Sequence, residues 1–164
     1  MEVRRASVAD AADIAAVHVQ TWRAAYAHVF GPERLAGMDV EARTGRWREW
    51  LERGEAAFVA DDDGRIAGFV WVGPSRDADA EGELYAIYAL PEAWGGGAGP
   101  ALMRAGVDAM REAGHRDAVL WVLEDNPRAR RFYEREGWEL DGNRKEDEFL
   151  GRRVAELRHR IRLF

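Results

Sequence analysis

The sequence predicts a mixed α/β domain, a central twisted sheet of six to seven strands with helices on both faces. Three observations predict it. The β-branched and aromatic run Glu83 to Leu90 stops at Pro91, passes a glycine cluster and opens directly into a helical pattern. Ala118 to Leu123 is a continuous apolar run, as a strand buried on both faces requires. Strand and helix patterns alternate in the order β-α-α-β-β-β-α-β-α-β-β, with no internal repeat.

Taken in order, Glu2 to Ala6 alternates weakly and reads as a first strand. Ser7 precedes Val8-Ala9-Asp10 as an N-cap with an acid in the first turn. Val8, Ala11, Ala12, Ala15, Val19, Trp22 and Tyr26 then recur at helical spacing, and Phe30-Gly31-Pro32 closes that region. Val40 to Arg53 is a second helix with Trp47, Trp50 and Leu51 on one side and Gly54 as its stop. Ala56 to Ala60 and Ile66 to Val72 flank Asp61-Asp62-Asp63-Gly64. That is a β-hairpin, with Asp63-Gly64 supplying the positive φ values of its turn. The three aspartates lack the remaining ligands of a calcium loop, so no metal is expected. Pro74 to Glu83 is a polar loop carrying Asp77, Asp79 and Glu81, acids able to attract a cationic acceptor. Ala101 to Ala113 is a helix ended by Gly114. Asn126-Pro127 begins another, Asn as N-cap and Pro at the first helical position, with Gly137 as its stop. Trp138-Glu139-Leu140 and Arg153 to Leu163 read as two closing strands.

Composition narrows the function classes. The 164 residues fit one compact domain, residues 1–164, with 47% hydrophobic and 33% charged residues. A net charge of −6 argues against nucleic acid as partner, since neutralising phosphates needs a basic face. No apolar run approaches a membrane span, and Met1 to Arg5 lacks a signal-peptide core. Without cysteine there is neither a disulfide framework nor a thiolate metal site, so a cytoplasmic location is expected.

The strand–glycine–helix stretch carries the chemistry. A helix opening from glycines leaves backbone N–H groups pointing outward at the positive end of its dipole, and no Asp or Glu fills the first turn. This is an anion site, suited to a phosphate-bearing cofactor. A P-loop would need Lys and Ser or Thr where Pro100-Ala101 stands. A dinucleotide fingerprint would need a third glycine where Leu102 stands. Both templates fail.

The run Ile87 to Gly99 resembles the pyrophosphate motif of the GNAT superfamily of N-acetyltransferases: Gln or Arg, two free residues, Gly, any residue, then Gly or Ala. Asn126 to Glu139 is similar to the second block of the same superfamily, and the resemblance covers essentially the whole chain. Two residues depart from it. Trp94 occupies the Gln/Arg position, and Pro100 removes one backbone N–H from the first helical turn.

The resemblance implies the GNAT fold, acetyl-CoA as cofactor, no metal, and a small-molecule or peptide amine as acceptor; a homodimer is compatible with it. It implies that the backbone of Ile87, Tyr88 and Ala89 meets the pantetheine arm, and that Gly95, Gly96, Gly97, Ala98 and Gly99 carry the pyrophosphate. Asn126 would meet the cofactor near the thioester. Tyr133 would protonate the departing sulfur, and a phenol of pKa about 10 is protonated at neutral pH. Trp22 and Tyr26 would wall the acceptor pocket, where aromatic faces suit a cationic amine. The side-chain inventory points to direct transfer, because there is no Cys, and Ser7 and Ser75, the only serines, lie outside any nucleophile elbow. The amine must then lose a proton and attack the thioester itself, with Glu83 as the candidate base and Glu81 in reserve. A CoA-binding sensor that keeps this fold without catalysis is the alternative.

Overall fold

The computed structural model describes all residues, 1–164. The strands are β1 (Glu2–Arg5), β2 (Ala56–Asp62), β3 (Arg65–Pro74), β4 (Gly82–Ala89), β5 (Asp117–Leu123), β6 (Glu139–Phe149) and β7 (Arg152–Arg162). The helices are α1 (Ala11–Ala25), α2 (Ala27–Ala36), α3 (Val40–Glu52), α4 (Ala98–Glu112) and α5 (Pro127–Arg135). The strands form one seven-stranded sheet in the order β1-β2-β3-β4-β5-β7-β6. Every neighbouring pair is antiparallel except β4 and β5, which are parallel.

Alternation along the strands divides two cores. Val70, Val72, Leu84 and Leu120 meet Leu102, Met103, Val107 and Met110 of α4 on one face. Val59, Phe69 and Ala86 meet Ile14 and Ala15 of α1 and Trp47 and Leu51 of α3 on the other. A third cluster, holding Trp22, Tyr26, Phe30, Leu35 and Leu123, joins the α1–α2 corner to the end of β5. No helix is long and apolar enough to cross a membrane.

The mixed sheet with helices on both faces is as expected, and so is the hairpin turn, where Asp63 and Gly64 have φ of 51° and 88°. Three local readings are corrected. The helical region after α1 continues as α2, which absorbs Gly31-Pro32 because Gly31 breaks the helix at φ 77° and Pro32 restarts it. Strand β6 runs to Phe149 rather than ending at Leu140. Its segment Asp141 to Glu148 is almost wholly charged or polar because it is the exposed edge of the sheet, where charge blocks pairing with another chain. Helix α4 starts at Ala98 rather than at Ala101, which makes Pro100 its third residue. Its missing N–H still falls among the four that no helix satisfies internally, so the helix loses no bond.

The acidic loop before β4 has a structural task that composition did not reveal. Arg158 of β7 has a side chain only 4% exposed, and it donates to Asp77 (3.1 Å), Asp79 (2.7 and 2.6 Å) and Asp141 (2.7 Å). Glu81 pairs with Arg116 at 2.9 Å. The loop is thus stapled across the ends of β5 and β7, and its carboxylates are committed internally rather than open to an acceptor.

An Arg158→Met variant leaves three carboxylates without their shared cation, a loss of about 3 kcal/mol, at the low end for a broken buried pair because those acids retain some water. Urea unfolding at pH 7 measures it. The Arg158 guanidinium beside Asp79 holds that carboxyl down to about 2. A depressed folded-state pKa contributes stability that is complete above the unfolded value of about 3.9 and is lost as pH falls through the folded one. The wild type is therefore expected to lose stability between about pH 4 and pH 2 more steeply than the variant.

Candidate active site

The sheet opens where β4 leaves β5. Their parallel pairing consists of Gly82 with Ala118 and Glu83 with Val119. The next residues of β4 carry a bulge against β3: Val72 pairs with Leu84 and Trp71 with Ala86, so Tyr85 is extra. A bulge bends and twists the strand that holds it. Here it swings Ala86 to Ala89 away from β5 while they stay paired to β3 through Val70, Phe69 and Gly68. The β5-facing backbone of Ile87, Tyr88 and Ala89 has no strand partner.

The gap is a cleft of about 640 Å³. At one end the chain leaves β4 through a short 3₁₀ turn, Pro91–Ala93, and the glycines into α4. Gly95 and Gly97 have φ of 80° and 90°, the left-handed region in which a side chain is strained. Gly97 caps α4, and the first turn contains no acid. A Cβ at Gly99 would stand 3.2 Å from the Phe132 ring, so α4 and α5 meet closely there and a side chain would press on the ring. Gly95, Gly97 and Gly99 line the cleft, whereas Ala98 is buried beneath it and Gly96 is outside its lining.

Helix α5 is capped as its sequence indicates. Asn126 Oδ1 accepts from the Ala129 N–H at 3.1 Å, and Asn126 Nδ2 donates to the Tyr26 hydroxyl at 3.0 Å. Tyr133, one face further along, is 7% exposed and lines the cleft, and its hydroxyl has no protein hydrogen-bond partner. Burial raises its pKa above that of an ordinary phenol, so it carries its proton at neutral pH. The structure therefore brings the open β4 backbone, the glycine loop, Asn126 and Tyr133 to one cleft.

The family model described as "Acetyltransferase (GNAT) family" matches residues 19–138. The chain belongs to the GNAT acetyltransferase family. It is 37% identical over 128 residues to the N-acetyltransferase YuaI of Bacillus subtilis (strain 168), covering 76% of this chain and 73% of that one. In fold it is similar to a ribosomal-protein-alanine N-acetyltransferase from Brucella melitensis, with a TM-score of 0.77 at 22% identity over 99% of each chain. It is also similar to the PaiA N-acetyltransferase of Thermoplasma acidophilum in complex with coenzyme A, with a TM-score of 0.76 at 18% identity over 98% of each.

Against this family background the departure at Trp94 has a local explanation. The Trp94 indole N–H donates to the Ala89 carbonyl at 2.8 Å, closing the end of β4 onto the loop. Arg128 of α5 lies over the same indole, its guanidinium carbon 3.4 Å from the ring centroid. Arg128 makes no ion pair. Burial and its neighbours Arg135 and Arg131 lower its pKa, as expected of a cation without an anion at hand. A positive charge therefore stands beside the glycine loop although position 94 has none.

At the other end of the cleft the acids differ in what they touch. Glu83, 1% exposed, accepts from the Arg76 backbone N–H at 2.9 Å and from its guanidinium at 2.5 Å. Both oxygens are engaged, which disfavours Glu83 as a proton acceptor in this GNAT domain. Glu156 of β7 also lines the cleft and makes no hydrogen bond. Burial raises its pKa from the ordinary carboxylate range, Lys145 opposing. Trp22 and Tyr26 border the cleft while belonging to the third core, 8% and 4% exposed. Trp121, Lys145, Phe149 and Glu156 were not identified from sequence. Their only signal was a charged residue breaking the alternation of β7, legible once the β6–β7 register is known.

Replacing Gly97 by Val puts a β-branched side chain at φ 90°. The strain is expected to cost about 1–2 kcal/mol of stability in urea unfolding, with the sheet otherwise intact by far-ultraviolet circular dichroism.

Proposed function

We propose that this GNAT domain moves the acetyl group of acetyl-CoA onto a primary amine by direct attack within a ternary complex. The observation that carries this reading is the juxtaposition of an unpaired β4 edge, a glycine-led helix terminus and a protonated, unpartnered tyrosine in one cleft. Each answers a different part of such a cofactor. The backbone groups of the Ile87 to Ala89 segment that face away from β3, apart from the Ala89 carbonyl held by Trp94, suit an amide-bearing arm that pairs as a strand would. The amides of Gly95 to Gly99 at the start of α4 suit a pyrophosphate, and Arg128, held flat on Trp94, adds the cation that the loop lacks. Coenzyme A in the complex of the structurally similar Thermoplasma acidophilum protein supports the choice of ligand.

When bound, acetyl-CoA supplies an activated thioester carbonyl. The chain's own part is to orient and to handle protons. Tyr133 Oη holds a proton at neutral pH and donates it where negative charge develops on sulfur. Asn126 ties α5 to the Tyr26 hydroxyl and so fixes the angle at which Tyr133 enters the cleft. Trp22 and Tyr26 close the acceptor side with aromatic faces. No cysteine or serine lines the cleft, which supports the acceptor nitrogen as the nucleophile.

Mixing the pure protein with acetyl-CoA and a panel of primary amines, and following release of free CoA thiol, tests the reading. Turnover is expected on at least one amine. CoA binding with no turnover on any of them would instead support a silent CoA-binding module. Tyr133→Phe is expected to lower kcat about 100-fold with KM for acetyl-CoA little changed, the signature of a group that acts in the transition state. Arg128→Ala is expected to raise that KM about 10-fold with kcat nearly constant, as loss of one charge-assisted phosphate contact would.

A further inference from the structure

The acceptor end of the cleft already holds an ammonium. Lys145 Nζ, on β6, lies 4.2 Å from the centroid of the Trp121 indole and 3.9 Å from Glu156 Oε1. Lys145 is the only lysine of the chain, on an edge strand whose other cations are arginine. The arrangement follows from the register: Lys145 pairs with Glu156 across β6–β7, and Glu156 pairs with Leu123 across β5–β7, two residues beyond Trp121. An aromatic face and a carboxylate meeting at one point form a site for a primary ammonium, the first through the ring's negative face and the second by charge.

The two acids of the cleft are not equivalent there. Glu83 is saturated by the backbone and guanidinium of Arg76. Glu156 has no hydrogen bond, and its single ion pair is long and made with a half-exposed, flexible partner. A carboxylate in that state accepts a proton at the loss of one long ion pair and no hydrogen bond.

We propose that Glu156 and the Trp121 face form the seat of the acceptor's primary ammonium, and that Glu156 takes the proton the amine must lose before it attacks. This rests on the acetyl-transfer reading above and extends it to the acceptor. An N–H bond of the ammonium breaks and its proton passes to a Glu156 carboxylate oxygen. The freed nitrogen lone pair forms the N–C bond to the thioester carbonyl carbon. The C–S bond breaks with its electron pair on sulfur, which takes the Tyr133 Oη proton. The second nitrogen proton restores Tyr133, and the proton on Glu156 leaves to solvent. The sum is ammonium plus acetyl thioester giving amide, thiol and one proton.

The charged groups that set the titration of Glu156 are Lys145 and Asp147 from β6 and Arg76 and Glu83 from the loop and β4; the nearby Tyr26 and Tyr88 hydroxyls are uncharged in that range. Burial raises the Glu156 pKa and Lys145 opposes this, so removing Lys145 moves the pKa further up.

The test combines titration with kinetics. In the free protein, the carboxyl carbon of Glu156 is assigned in an NMR pH titration by its loss in Glu156→Gln. It is expected to titrate above ordinary glutamate, and to move to higher pH in Lys145→Met. With acetyl-CoA and the best amine of the panel, starting with 2-phenylethylamine, the acidic limb of kcat/KM is expected at the NMR-measured pKa, since that profile reports the free enzyme. The limb is expected to shift with Lys145→Met, to disappear in Glu156→Gln with a loss of about 100-fold in kcat/KM, and to persist in Glu83→Gln. Freeing the seat in Lys145→Met is expected to lower KM for the amine several-fold at pH values above the limb. An acidic limb that survives in Glu156→Gln, that stays in place in Lys145→Met, or a Glu156 that titrates as an ordinary glutamate overturns the proposal. Because Lys145→Met leaves Glu156 intact, a folding failure of Glu156→Gln does not remove the test. A wild type without turnover on any amine overturns the transfer reading itself, whereas wild-type turnover with these shifts absent overturns only the assignment of Glu156.

Discussion

One extra residue in β4 conditions the rest of the molecule. Tyr85 has no partner in β3, and the bulge it makes turns the strand out of the sheet just after its last pair with β5. A sheet interrupted in the middle leaves backbone donors and acceptors unpaired, which is costly unless water or a ligand meets them. The protein keeps this open seam by bracing it on every side. β3 continues to pair with the diverging half of β4. The Trp94 indole seals its end at the Ala89 carbonyl. Arg158 and Arg160 clamp the loop before it to β7 and β5.

The bracing explains why so much charge lies on this chain without serving as a ligand site. Asp77, Asp79 and Asp141 surround one buried guanidinium, and Glu81 and Glu83 each hold an arginine of a neighbouring segment. Such pairs make weak net contributions to stability but define geometry, because breaking one leaves a partly desolvated charge behind. Three cleft groups stand out against that background: Arg128 beside the glycine loop without an ion pair, the Tyr133 hydroxyl without a hydrogen bond, and the Glu156 carboxylate with only a long pair to Lys145. All three line the same cleft.

Much of this was legible in local sequence. The β2–β3 turn, the Asn126 cap, the buried β5 and the passage from strand through glycines to helix are short-range matters of φ, capping and periodicity, and the structure has each of them. The failures share a cause. The length of β6 is hidden because its composition reflects a sheet edge, and an edge is defined only by what does not lie beside it. Asp77, Asp79 and Glu81 read as an open acidic loop because their partners, Arg158 and Arg116, are distant in sequence. The clamp of Arg76 on Glu83 is only seven residues long, but it depends on how the loop folds back on β4 and has no local signature.

Sequence by itself determined the fold class, the family and the run from strand through glycines to helix. These rest on backbone conformation and element order, which neighbouring residues impose on one another. Only the tertiary structure decided which charges are spent and which are available. A carboxylate's chemistry depends on its nearest cation and on its water, and both are contributed by strands that meet across the sheet. The Tyr85 bulge, the Arg76 clamp on Glu83 and the meeting of Trp121, Lys145 and Glu156 all belong to that second class.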